Sequence, residues 1–251
     1  MNIDKPSSAQ LSQLETLWQQ AFGDPKVFID GFFRTGFSPD RCRCLSIDGQ
    51  VASALYWFDA TGEEGKFAYL YAVATDISHR GKGLCRLLME DTHRHLAQNG
   101  YAGAVLVPAE EGLWNYYGKM GYAPFGKLRS FTRKAVPGDV SLHQIDAAAY
   151  TRLRKAFLPP HSLCQEQALG FYSTWGKFYE APGCLLAAAT DGDLLYAQEF
   201  LGDTRQIPAV IAALNCSRGK FRTPGGRKNC GMCLLFSPDV SAPAYLGFPL
   251  D

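Results

Sequence analysis

The run Arg80-Gly81-Lys82-Gly83-Leu84-Cys85 combines two glycines and two cations in six residues, a composition suited to holding phosphate. Glycine lets backbone amides turn inward, and the N-terminus of a following helix adds positive potential through its unpaired N–H groups. The spacing is neither of the two common nucleotide motifs: a P-loop needs Gly-x-x-x-x-Gly-Lys followed by Ser or Thr, and a dinucleotide fold needs Gly-x-Gly-x-x-Gly. Taken alone, such a run is also compatible with a plain strand-to-helix turn, so its neighbours must decide.

Those neighbours are a strand and a helix. Residues 67–74 form a nearly continuous apolar run, the pattern of a central strand buried on both faces. After the loop, Leu84, Leu87, Leu88 and Leu96 fall on one face of a helix that stops at Asn99-Gly100. Upstream, Leu11, Leu14, Leu17, Trp18, Ala21 and Phe22 make a helical stripe ending at Gly23 and Pro25. Apolar segments at 41–47 and 51–58 flank Asp48-Gly49, the dipeptide that supplies the positive φ angles of a tight hairpin. Downstream come a buried strand at 102–107, a short helix over 110–119, and two strand pieces within 122–134 bent at Pro124 and Gly126. The first unit is therefore expected to end near Pro137-Gly138.

The second half repeats this order. A helical stripe at Tyr150, Leu153, Ala156 and Phe157 ends at Pro159-Pro160, and a second Asp-Gly pair, Asp191-Gly192, lies between two apolar segments. The pattern suggests a tandem duplication. Its second copy runs from the hairpin into a helix over 209–214 with no Gly-x-Gly bend, so the phosphate loop belongs to the first copy alone.

With strand, loop and helix in order, the sequence resembles the GNAT superfamily of acyl-CoA-dependent N-acetyltransferases. The signature Arg or Gln, two residues, Gly, one residue, Gly or Ala reads here as Arg80, Gly83 and Cys85. The segment 114–125 looks like the family's later Phe-Tyr-Glu-Lys-x-Gly-Phe region. Cys85 replaces the last small Gly or Ala, and Gly118 replaces the common Glu. The resemblance implies that the amides of Arg80, Gly81, Lys82, Gly83, Leu84 and Cys85 cradle the pyrophosphate of acetyl-CoA, with charge added by Arg80 and Lys82. It implies that Val73, Ala74 and Thr75 run beside the pantetheine arm, an amide there polarising the thioester carbonyl as an oxyanion-hole donor does. Tyr117 matches the tyrosine that protonates the leaving thiolate, a role open to a phenol with an ordinary pKa near ~10; aromatic packing is the plain alternative for Tyr116 and Tyr117. Asn115 is a further pantetheine contact. The general base stays unassigned among Glu110, Glu111, Glu199 and Asp251, each of a residue type usually found on the surface.

Composition limits the other readings. Lys and Arg total 25 against 24 Asp and Glu, so no global field recruits nucleic acid or an anionic membrane. No apolar run approaches the ~20 residues that span a bilayer, and the N-terminal stretch lacks the apolar core of a secretion signal, which makes the cytoplasm the expected compartment. The eight cysteines read as thiols there. Cys230-Gly231-Met232-Cys233 has zinc-like spacing but no second ligand pair follows it, and His93 and His95, two apart on a helix, point in different directions; no metal is expected. The basic stretch 217–228 could grip an anionic substrate or RNA, a role ranked below a solvated or acceptor-facing loop.

The expected fold is thus α/β (α+β): a mixed GNAT sheet flanked by helices over 1–137, then a degenerate GNAT-like domain over 138–251. The expected reaction is transfer of an acetyl group from acetyl-CoA to a primary amine. The alternative is a non-catalytic acyl-CoA-binding sensor or assembly module. The second domain would shape the acceptor cleft, and a homodimer is left open.

Overall fold

Gly23, Asp48 and Gly49 end the first elements in the way their residue types demand. Gly23 closes a helix at φ 70°, and Asp48 and Gly49 turn a hairpin at φ 50° and 82°. The computed structural model describes residues 1–250 of the chain, which divides into two compact units: 1–123 with 232–241 and 250, and 124–231 with 242–249.

Numbered in chain order, the first stretch carries β1 (Asn2–Asp4), α1 (Leu11–Phe22), α2 (Lys26–Thr35), β2 (Cys42–Ile47), β3 (Gln50–Gly62), β4 (Gly65–Thr75), α3 (Leu84–Gln98), β5 (Tyr101–Leu106), α4 (Glu111–Gly118) and β6 (Ala123–Phe125). The second carries β7 (Leu128–Lys134), β8 (His143–Ile145), α5 (Ala147–Arg154), β9 (Ser162–Leu163), α6 (Glu166–Tyr172), β10 (Lys177–Ala181), β11 (Cys184–Asp191), β12 (Leu194–Gly202), α7 (Ile207–Ala213), β13 (Arg218–Pro224), β14 (Gly231–Leu235) and β15 (Tyr245–Leu246). The second hairpin loop is Gly192-Asp193, one residue later than the dipeptide suggests, with the positive φ at Gly192.

The two main sheets are mixed, with strand orders β1-β2-β3-β4-β5-β14-β6 and β7-β13-β12-β11-β10-β8. Two strands therefore join the sheet that is remote from them in sequence. β7, which directly follows β6, pairs antiparallel with β13, and β14 returns from the far end of the chain to pair antiparallel with β5. No helix of the described residues is long and apolar enough to cross a membrane.

In the first unit, alternate residues of β3 serve opposite faces of the sheet. Leu55 and Trp57 pack with Leu84, Leu88, Met89 and Leu96 of α3. Tyr56 and Phe58 join an aromatic cluster with Trp18 of α1 and Phe32 of α2, where the Trp18 and Phe32 rings lie 4.7 Å apart. Burial on both faces accounts for the continuous apolar runs.

The second unit sets α7 on one face of its sheet through Ile207, Val210 and Ile211. Elsewhere in this unit its core encloses a charge pair. Glu199 of β12 is fully buried and accepts from Arg154 Nε at 2.6 Å and Nη2 at 3.0 Å, from Tyr150 Oη at 2.8 Å and from Tyr245 Oη at 3.0 Å. Four donors satisfy both carboxylate oxygens, the condition under which a buried ion pair is tolerated. The neighbouring carboxylate raises the Arg154 pKa against the opposing effect of burial. Gly247 lies directly on the pair: a Cβ there would collide with Arg154 Nη2 and Glu199 Oε1. Gln165 Nε2 donates to the carbonyls of Gly247 and Phe248. The segment 245–248 is thereby held by buried polar groups. Replacing Glu199 by Ala leaves the Arg154 charge buried without its counter-ion and is expected to cost about 3–5 kcal/mol, read as a lower denaturant midpoint; a loss below about 1 kcal/mol would count against this role for the pair.

Candidate active site

The site begins where two parallel strands part. β4 pairs with β5 from Lys66–Tyr101 to Tyr69–Val105 and no further, although β4 continues to Thr75. Just past this point Ala72 takes φ 48°. Between the pairs Ala54–Ala74 and Tyr56–Tyr71, β4 has two residues, Ala72 and Val73, where β3 has only Leu55. This is a β-bulge, which bends its strand and re-aims the residues beyond it. Beyond Tyr69 the ladder with β5 has ended, so Val73, Ala74 and Thr75 have no β5 partner along this flank, a place where another extended chain could run.

The end of β4 is tied down by side chains. Ser53 Oγ donates to Ala74 O at 2.7 Å and lies 2.8 Å from Thr75 Oγ1, while Arg80 Nε donates to Thr75 O at 3.1 Å. Asp76 then accepts from the Ser78 amide at 2.9 Å and from its hydroxyl, bonds that lower its pKa and fix the approach to the loop.

The loop has the conformation its glycines allow. Gly81 and Gly83 take φ 75° and 77°, and no atom lies within 4 Å of where a Cβ would stand on either. Gly83 occupies the N-cap of α3 with no capping side chain and no acidic residue in the first turn. The first-turn amides of a 15-residue helix therefore face outward unpaired, with the exposed Arg80 and Lys82 beside them. Its geometry and charge suit an anion. Burial raises the pKa of the Cys85 thiol, against the opposing influence of the Tyr116 and Thr75 side chains.

On α4, Tyr117 is only 7% exposed and packs edge-on against Tyr116 at 5.4 Å and Tyr122 at 5.9 Å. Burial raises the pKa of its hydroxyl above the ordinary tyrosine value. Packing and the capacity to donate a proton are thus joined in one residue. Tyr116 and Tyr117 both lie near enough to Cys85 of the loop for their hydroxyls to interact electrostatically with its thiol. Asn115 is exposed on the same helix. His93 Nε2 stands 2.8 Å from the Tyr122 hydroxyl, and burial lowers its pKa to about 4, leaving it neutral.

The carboxylates divide. Glu110 and Glu111 are exposed at the start of α4. Glu199, expected at the surface, is buried in the second unit, where Arg154 and two tyrosines bind it. Asp251 lies outside the described residues. Its neighbour Leu250 is buried in the first unit and donates its N–H to Tyr69 Oη at 2.8 Å, at the last paired residue of β4. No group of three or more His, Cys, Asp or Glu among the described residues is disposed to hold a metal.

Residues 2–125 match the family model described as an acetyltransferase (GNAT) domain. No curated protein sequence matches the chain. Among solved structures it is similar to a GCN5-related N-acetyltransferase from Kribbella flavida, with TM-score 0.69, 14% identity, and coverage of 93% of this chain and 70% of that one. A putative acetyltransferase from Pyrococcus horikoshii gives TM-score 0.69 at 9% identity over 99% of this chain and 94% of that one. A GCN5-related N-acetyltransferase from Anabaena variabilis gives TM-score 0.67 at 15% identity, covering 94% and 70%. At these identities the likeness to the solved structures is one of fold. Over residues 2–125 the chain matches a GNAT acetyltransferase domain, and its two mixed sheets fit the tandem form of that fold.

Proposed function

We propose that the chain transfers an acetyl group from acetyl-CoA directly to a primary amine. The observation that carries this reading is the uncapped glycine loop at the head of α3, next to the part of β4 that runs beyond its ladder with β5. The amides from Gly81 to Cys85, with Arg80 and Lys82, hold the pyrophosphate. The main chain of Val73, Ala74 and Thr75 pairs with the pantetheine amides as a missing strand would, with Asn115 as an outer contact. An amide of this stretch stabilises negative charge on the thioester oxygen, and a rigid donor helps most where charge develops in the transition state. Tyr117 gives its proton to the departing thiolate, a phenol being in the donor form at neutral pH.

A second reading, an acyl-CoA-binding sensor without turnover, is favoured by one observation: Glu199, a candidate base, is committed to Arg154. Calorimetric titration with acetyl-CoA, then a free-thiol release assay across a panel of amines, separates the two. Binding with amine-dependent thiol release is expected. Binding without release from any amine would favour the sensor, and absence of binding would overturn the loop assignment.

Two variants test individual residues. Gly83→Val introduces a β-branched side chain at φ 77° into the open space above the amides, and should weaken acetyl-CoA at least about tenfold. The helix behind it should persist, because Gly83 is exposed and the strain is limited to about 1–2 kcal/mol. Undiminished affinity would remove the site from this loop. Tyr117→Phe should bind acetyl-CoA normally but turn over roughly 10²- to 10⁴-fold more slowly, the range for a general acid. An unchanged rate would return Tyr117 to packing alone.

A further inference from the structure

The two sheets can be aligned strand by strand through their pairing. In the first, the parallel neighbours β4 and β5 are followed by β14, antiparallel to β5, and then by β6. In the second, the parallel neighbours β12 and β13 are followed by β7, antiparallel to β13, and there the sheet stops. The second sheet thus lacks the strand that β6 supplies to the first. β7 is left as an edge, exposed along most of its length; the Leu128 N–H already donates to Lys228 O at 2.8 Å and Thr132 O accepts from Arg133 Nη1 at 3.0 Å, so the outward groups open to a further strand are those of Ser130 and Lys134 and the Thr132 N–H.

That edge is strongly cationic. β7 carries Arg129, Arg133 and Lys134, the adjacent β13 carries Arg218, Lys220 and Arg222, and neither strand contains an Asp or Glu. Among the described residues no carboxylate lies within ion-pair distance of Arg129, Arg133, Lys134, Arg218 or Lys220. In a chain of net charge +1 this concentration is local. Arg129 and Arg133 flank the Phe131 ring, with guanidinium carbons 4.7 and 4.8 Å from its centre. Alternation puts these three side chains on one face of the strand, and Ser130, Thr132 and Lys134 on the other.

Three occupants can be compared for this edge. A second copy of β7, laid antiparallel about Phe131, would set Arg129 against Arg133 twice, and like charges directly opposite are destabilising. A nucleic acid would answer the charge but leave the strand's main-chain groups unmatched. An extended acidic peptide answers both.

We propose that β7 takes an acidic segment of another protein as an added strand, in the position equivalent to β6 of the first sheet. The matching segment has carboxylates four residues apart, opposite Arg129 and Arg133, and an apolar residue midway, opposite Phe131. Main-chain bonds supply affinity and the alternate side chains supply selection, as in other strand additions. This inference is independent of the transferase reading.

The test uses the full chain and a fluorescent nine-residue peptide with glutamates at its third and seventh positions and valine at its fifth, in a background of Ser and Thr. Anisotropy is compared with the peptide carrying lysines in place of the glutamates, and with one whose alternate backbone nitrogens are methylated. The wild-type chain should prefer the glutamate peptide by about tenfold or more, and Arg129→Glu/Arg133→Glu should reverse that preference. Backbone methylation should abolish binding. No binding up to about 1 mM, a preference that fails to reverse, or undiminished binding of the methylated peptide would each overturn the proposal. So would tighter binding of a single-stranded RNA of similar length. If the double variant does not fold, as judged by circular dichroism, Arg133→Gln and the methylated peptide carry the test.

Discussion

The bulge at Ala72 is the constraint on which the first unit's site depends. One extra residue opposite Leu55 turns β4 away from β5 after Tyr69, and a sheet that would otherwise zip shut opens at this point. A non-glycine residue held at φ 48° stores strain of about 1–3 kcal/mol. Packing on both faces of β3 and β4 over-determines it: the Trp18 and Phe32 rings press from one side and the α3 leucines from the other. Ser53 secures the strand again beyond the bulge through Ala74 and Thr75. The loop after β4 inherits its direction from this repair, and Arg80 reaches back to Thr75 to complete it.

The second unit repeats this device and lacks the loop instead. Between the pairs Ala188–Ala197 and Ala187–Glu199, β12, the strand that leads to α7, carries Gln198 with no counterpart in β11, and its ladder with β13 ends at Ala197. Where the first unit has Gly81 and Gly83, the second has Asp203, whose carboxylate accepts from the Arg205 amide and guanidinium, and α7 comes next with Pro208 in its first turn. A carboxylate and a proline use up the positions at which an anion would bind. The buried interior of this unit is spent instead on Glu199 and Arg154, which fasten residues 245–248.

Much of the first unit was legible in its sequence because its signals are local. The α1 stripe, the Asp48-Gly49 turn, the apolar run of β4 and the glycines before α3 each act within a few residues of themselves. Helix α2 is not legible in the sequence because Pro25 and Gly31 interrupt the pattern, although Pro25 merely starts the helix and Gly31 is buried within it. Glu199 looked like a surface acid because nothing near it in sequence announces Arg154, Tyr150 and Tyr245. The electrostatic coupling of Tyr116 and Tyr117 to Cys85 depends on how α4 docks beside α3, which no spacing rule contains. The same holds for the exchange of β7 and β14: each reads as an ordinary strand, and only long-range register decides which sheet receives it.

That exchange has a consequence for how the chain is made. β5 leaves the ribosome well before β14, which begins only at Gly231. At ordinary elongation rates of about 5–20 residues per second, the flank of β5 waits on the order of ten seconds for its neighbour. During that interval the nascent first sheet carries an unfinished apolar edge, and β7 emerges immediately after β6 as a local substitute. Correct assembly requires β7 to decline that nearby vacancy and remain available for β13. Its three basic residues suit such restraint, because they make β7 a poor filler for the apolar slot that Met232 and Cys233 eventually occupy.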